Sequence, residues 1–146
     1  MGLNNQDENR SFSPNRYFDR HFECDVVKIL PGEYYATTED TVIVTVLGSC
    51  IAVCLRDYTK RIGGMNHFML PSDNSTSVST ISESARYGVY AMELLVNQML
   101  KLGADKRRLE AKVFGGGNVL KGFTGNTVGE RNAEFIMDYL QAENIP

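Results

Sequence analysis

The chain has 146 residues, of which 42% are hydrophobic and 23% charged, and a net charge of −3. That length suits one domain able to bury roughly two-thirds of its unfolded surface, and the slight acidity gives no broad electrostatic reason to bind nucleic acid or an anionic membrane. No apolar stretch approaches the ~20 residues of a membrane span, and the polar N-terminus is no secretory signal; a cytoplasmic protein without direct membrane insertion is expected.

Residues 1–20 are rich in Asn, Asp, Arg and Ser and read as a flexible polar tail, with residues 21–146 as a single domain. The first expected strand is Asp25–Leu30, ended by the turn residues Pro31 and Gly32. Val42–Leu47 is β-branched at nearly every position and predicts a core strand. Gly48 and Ser49 break that pattern just before Cys50. Ile51, Val53 and Leu55 then alternate with Ala52, Cys54 and Arg56, as in a half-buried strand. After a polar break at residues 57–60, apolar residues resume at Ile62 and continue to Leu70.

Thr80 and Glu83 have the spacing of a capping box, in which each side chain bonds the other's backbone N–H. The helix that follows has a buried stripe of Ala85, Val89, Met92, Val96 and Met99, and Gly103 suits its left-handed end. Lys106-Arg107-Arg108 reads as a solvated turn. Leu109–Phe114 reads as a strand running into Gly115-Gly116-Gly117. Thr127 and Glu130 form a second capping-box spacing, opening a helix in which Ala133, Ile136, Met137 and Leu140 share a face. Strands, a helix, a strand and a helix, without βαβ repetition, favour a mixed α/β layered sandwich of sheet and helices.

Three cysteines, Cys24, Cys50 and Cys54, are an odd count and point to free thiols. Two histidines and no paired cysteine knuckle leave no structural zinc site, and neither a metal nor an organic cofactor is expected. The triple glycine is not followed by Lys-Ser/Thr, so it is no phosphate loop. Cys50 and His67 offer a nucleophile and a base. With the turn centred between Tyr58 and Thr59, the two lie directly opposite in an antiparallel pair, Cβ atoms roughly 4.5–5.5 Å apart. A slip of one residue would send them to opposite faces. The bend at Gly48-Ser49 lets backbone N–H groups, that of Ser49 among them, point at a developing oxyanion. Thr45 is the candidate for the third group, which fixes the imidazole tautomer. The plainer alternative is a small buried cysteine, a satisfied core histidine and a threonine that simply suits a strand. Cys54 reads as packing.

The segments VTVLGSCIAVCLRD, GGMNHFMLP, SARYGVYAMELLVNQMLKLGA, KVFGGGNV and VGERNAEFIMDYL, in that order, resemble the chemoreceptor glutamine deamidases (CheD) of bacterial chemotaxis. The resemblance runs from about Val26 to Ile145 and implies a three-layered fold and a cysteine-hydrolase mechanism. It puts the nucleophile at Cys50, the histidine at His67 and the catalytic threonine at Thr45, the last across a one-residue gap relative to some members. The implied reaction converts glutamine side chains of methyl-accepting chemotaxis receptors to glutamate through a cysteine thioester, releasing ammonia. Two further readings are a receptor glutamyl methyl-ester hydrolase and a non-catalytic regulatory partner of a CheC-type phosphatase; a partner of that type occurs in some members. Family members continue past the position of Pro146, so a further C-terminal strand-like segment is expected, without which a sheet edge would stand unpaired.

Overall fold

The computed structural model describes residues 15–71, 78–118 and 127–146, and of residues 78–83 the backbone only. The strands are β1 (Asn15–Asp19), β2 (Cys24–Lys28), β3 (Tyr34–Thr37), β4 (Val42–Val44), β5 (Ile51–Asp57), β6 (Ile62–Asn66) and β7 (Leu109–Gly115). The helices are α1 (Val78–Lys101) and α2 (Val128–Ala142), with a 3₁₀ turn at Lys106–Arg108. β3, β6, β5 and β7 form one sheet in that order, with every pair antiparallel. β1, β2 and β4 form a second sheet, in which β2 and β4 run parallel.

Alternation along β5 sorts the two cores. Ile51, Val53 and Leu55 face the helices and pack with Met92, Leu95, Met99, Ile136 and Leu140. Ala52 and Cys54 face the other way, toward Val27, Ile29 and Ile43 of the small sheet and its flanks, with Met65 of β6. The central sheet is therefore sandwiched between a helical layer and a second sheet, the mixed α/β layered sandwich expected from the sequence. Each fully buried Ile, Leu or Met contributes about 1.5–3 kcal/mol relative to exposure, so the central strands anchor both cores.

The helix ends follow local chemistry. Thr127 Oγ1 accepts from Glu130 N, and the Glu130 carboxylate accepts from Thr127 N, closing the expected capping box. Gly103 adopts φ +106 just past α1, as expected of a left-handed terminus. The start of α1 differs: the helix begins at Val78, two residues ahead of Thr80, and the Thr80–Glu83 side chains lie outside the described ones. The stripe of α1 includes Leu95, fully buried, while Val89 is only half-buried. Met137, expected on the inner face of α2, is 59% exposed; Asn132 and Gly129 are buried there instead.

Two strands fall where none was read. Asn15–Asp19, inside the stretch expected to be a tail, pairs in register with β2, Tyr17 opposite Val26. β3 pairs with β6, Tyr35 opposite Met65. Nor is the basic run only a solvated turn: Arg108 donates to both carboxylate oxygens of buried Asp57, at 3.2 and 2.9 Å. The last residue lies along β7, with Ala111 N donating to Pro146 O at 2.7 Å.

Candidate active site

Cys50 stands immediately before β5, at the end of the bend formed by Gly48 and Ser49. It is a half-buried free cysteine. His67 follows β6 and is 2% exposed. The register between the two strands differs from the expected one. Cys54 pairs with Met65 and Ile51 bridges to Phe68, so Cys50 falls opposite Met69 and His67 opposite Ala52. The cause is the turn, which closes between Asp57 and Ile62 and places Arg61 at φ 56. Its centre is one residue later than expected, which displaces the pairing by two. A displacement of two preserves the face, so continuing the ladder one residue past the Ile51–Phe68 bridge gives Cys50 and His67 the same parity at diagonal rather than direct positions.

The structure brings the Thr45 side chain to the imidazole. Thr45 follows β4, and its hydroxyl lies 2.7 Å from His67 Nδ1 and donates to Ile29 O at 2.8 Å. Because the one hydroxyl proton goes to that carbonyl, the Thr45 oxygen acts as acceptor toward the ring, and Nδ1 carries the hydrogen. The lone pair of the neutral imidazole is then on Nε2. The backbone fixes the ring from both sides: His67 N donates to Glu33 O at 3.0 Å, and Gly32 N donates to His67 O at 2.7 Å. Nε2 is buried and has no hydrogen-bond partner among the described residues, so no hydrogen bond joins it to the thiol in this state. Burial holds the His67 pKa below its ordinary value, which keeps the ring neutral and able to accept a proton at neutral pH.

The loop carrying Cys50 is held by its carbonyls. Gly117 N donates to Gly48 O and Gly116 N to Cys50 O, both at 2.9 Å. Asn132 Nδ2 donates to Ser49 O at 2.9 Å, and Asn132 Oδ1 accepts from Leu70 N at 3.1 Å. In a planar trans peptide the N–H points opposite to the C=O. The N–H groups of Ser49 and Cys50 therefore point away from the glycine turn and from Asn132, and neither has a partner among the described residues. Two free, similarly anchored donors beside a thiol are what an oxyanion requires. The glycines permit the approach. A Cβ on Gly115, whose φ is +107, would lie 2.0 Å from Cys50 O, and one on Gly129 would lie 2.5 Å from Gly116 O.

Two polar side chains nearby take structural places. Cys54 faces the small sheet, and burial pushes its thiol up, despite Lys112 nearby. Asn66 points into the helical layer, where its amide accepts from Val53 N at 3.1 Å and donates toward Met92 Sδ at 3.3 Å. Asn132 is the polar group that sequence reasoning missed. Its only signal was an asparagine on the otherwise apolar inner face of α2. Among the described residues, no three His, Cys, Asp or Glu side chains converge to hold a metal, and no helix is long and apolar enough to cross a membrane.

Residues 69–146, more than half of the chain, match the family model described as CheD chemotactic sensory transduction. The chain is 69% identical over 133 residues to the "Probable chemoreceptor glutamine deamidase CheD 1" of Shewanella oneidensis, covering 91% of this chain and 65% of that protein. It is 62% identical over 131 residues to the "Probable chemoreceptor glutamine deamidase CheD" of Thiobacillus denitrificans, covering 90% and 65%. The protein of the same description from Laribacter hongkongensis is 50% identical over 147 residues, covering 100% and 71%. The chain thus spans just under two-thirds of the length of the first two relatives. By this family match and these identities, the chain belongs to the CheD family.

Proposed function

We propose that the chain is a protein-glutamine deamidase acting on glutamine side chains of methyl-accepting chemotaxis receptors, with Cys50 as nucleophile. The observation that carries this reading is the contact of the Thr45 hydroxyl with His67 Nδ1, beside an unpaired Nε2. Thr45 accepts from Nδ1–H and leaves Nε2 as an unpaired base on the face shared with Cys50. In the proposed reaction Nε2 takes the thiol proton as Sγ attacks the carboxamide carbon. The tetrahedral oxyanion is received by the N–H groups of Ser49 and Cys50. His67 then gives its proton to the departing nitrogen, the C–N bond breaks, and ammonia leaves a thioester on Cys50. Water, deprotonated by the same Nε2, hydrolyses the thioester to glutamate and free thiol. The chemistry needs no metal or organic cofactor.

Exposed apolar side chains border the nucleophile: Met69, opposite Cys50 in register, Val46 before the bend, and Phe114, paired with Ala52. They suit contact with the protein surface around the substrate glutamine. The receptor's cytoplasmic region is the proposed substrate, and the cytoplasm is the compartment proposed with it. A CheC-type phosphatase as a second partner belongs to the same reading.

Intact-mass measurement of a receptor cytoplasmic fragment carrying both glutamines and glutamyl methyl esters tests it. Deamidation exchanges NH2 for OH and raises the mass by about one unit per site, whereas ester hydrolysis lowers it. A fall in mass would favour the esterase reading, and binding with no change in mass would favour a regulatory module.

A further inference from the structure

The triple glycine and Asn132 have no role in the reaction just described, yet both converge on the Cys50 loop. Three consecutive carbonyls, those of Gly48, Ser49 and Cys50, are each held by a donor from outside the loop. Two of these donors are backbone N–H groups of Gly117 and Gly116, which only a proline substitution would remove. The middle one is the side-chain amide of Asn132, from α2 and 83 positions away. Holding the Ser49 carbonyl fixes the Ser49–Cys50 peptide plane, and with it the direction of the Cys50 N–H.

The amide is itself fixed. Leu70 N–H can only donate and Ser49 C=O can only accept, so Oδ1 and Nδ2 of Asn132 cannot exchange places without losing both bonds. The residue is fully buried, and its bond to Leu70 N–H is buried with it. Leu70 lies just beyond His67 and Phe68, so one side chain ties the nucleophile loop to the segment that carries the base.

We infer that Asn132 is a positioning residue for the deamidation proposed above, aiming the Cys50 N–H at the oxyanion by clamping the Ser49 carbonyl. The inference rests on that reading of the function. It separates two properties of Cys50 that a general loosening of the site would degrade together. Oxyanion stabilisation needs the N–H direction. Simple alkylation of the thiol by iodoacetamide needs the thiolate and forms no oxyanion.

The test is Asn132→Asp in the full chain. The substitution is nearly isosteric and keeps the acceptor for Leu70 N–H; once its carboxyl is ionised, the donor facing Ser49 C=O becomes a second acceptor. The expected result is a fall in kcat for receptor deamidation of about 10²-fold, the scale of losing one oxyanion donor. KM and the rate of Cys50 alkylation should stay within about threefold of the parent on the same scale of comparison. Asn132→Ala, which offers no donor in any protonation state, is read in the same way and decides where the aspartate variant does not fold or keeps its carboxyl protonated. Parental kcat in a folded variant would overturn the inference, and so would equal losses of kcat and alkylation. A parent chain with no deamidation at all would instead overturn the functional reading beneath it.

Discussion

Thr45→Val removes the one hydroxyl that fixes the His67 tautomer while keeping the shape of the side chain. The oxygen lost accepts from Nδ1–H at 2.7 Å and donates to Ile29 O at 2.8 Å. His67 is 2% exposed, so its Nδ1–H would be left without a partner and without ready access to water. An unsatisfied buried donor costs about 1–3 kcal/mol. If that penalty falls on the reactive ring orientation, kcat drops about 5- to 160-fold, at 1.36 kcal/mol per factor of ten. The folded state bears a cost of the same order, visible as a melting temperature several degrees lower. Ammonia release from a receptor fragment gives kcat and KM, and a thermal melt gives the second quantity. Thr45→Ser, which retains the hydroxyl, is expected to recover most of the rate. A Thr45→Val chain with parental kcat and parental stability would refute the tautomer argument.

His67 also sets a pH signature: its pKa is lowered by burial, so the unfolded chain takes up a proton near pH ~6.5 that the folded chain refuses. Stability should therefore be level above about pH 6.5 and decline as pH falls from there toward the folded pKa; denaturant melts across pH should lose that slope in His67→Gln. Asp57 acts at lower pH. The side-chain hydrogen bond from Arg108, then the Asp105 N–H, hold its carboxyl down to about 2. Its stabilisation is present above the ordinary value of 3.8 and is lost as pH falls toward about 2, so Asp57→Asn should flatten the acid limb of the same titration. Gly88→Ala tests the contact between the helices. The added Cβ would sit 2.4 Å from Phe135 Cε1, and overpacking of this kind costs about 1–3 kcal/mol in a denaturant melt.

What could be read from the sequence was local. Ile51–Asp57 shows its alternation directly, and the Thr127–Glu130 cap has its two partners three residues apart, so both appear as expected. Thr45 stands out by its place near Cys50, although its contact with His67 depends on β4 ending at Val44. Once the chain leaves the sheet there, the hydroxyl lies between Ile29 and His67. The register of Cys50 and His67 was misread by two because a left-handed residue at Arg61 lengthens the turn, and nothing in its side chain announces that conformation. β1 reads as polar and aromatic, and it is a strand because β2 offers it an edge, a nonlocal cause. Asn132 was invisible for the same reason: its partners lie 62 and 83 positions away. Residues proposed for the chemistry stand out by type, whereas the long-range contacts of Asn132 are found only once the chain is folded.

The most direct test of a thioester on Cys50 is to quench the parent chain in acid during turnover of a receptor fragment, digest it, and weigh the Cys50 peptide. The expected product is an adduct of substrate less ammonia on Cys50, present with parent protein and missing, along with all deamidation, in Cys50→Ala. Continued deamidation by Cys50→Ala would contradict the assignment.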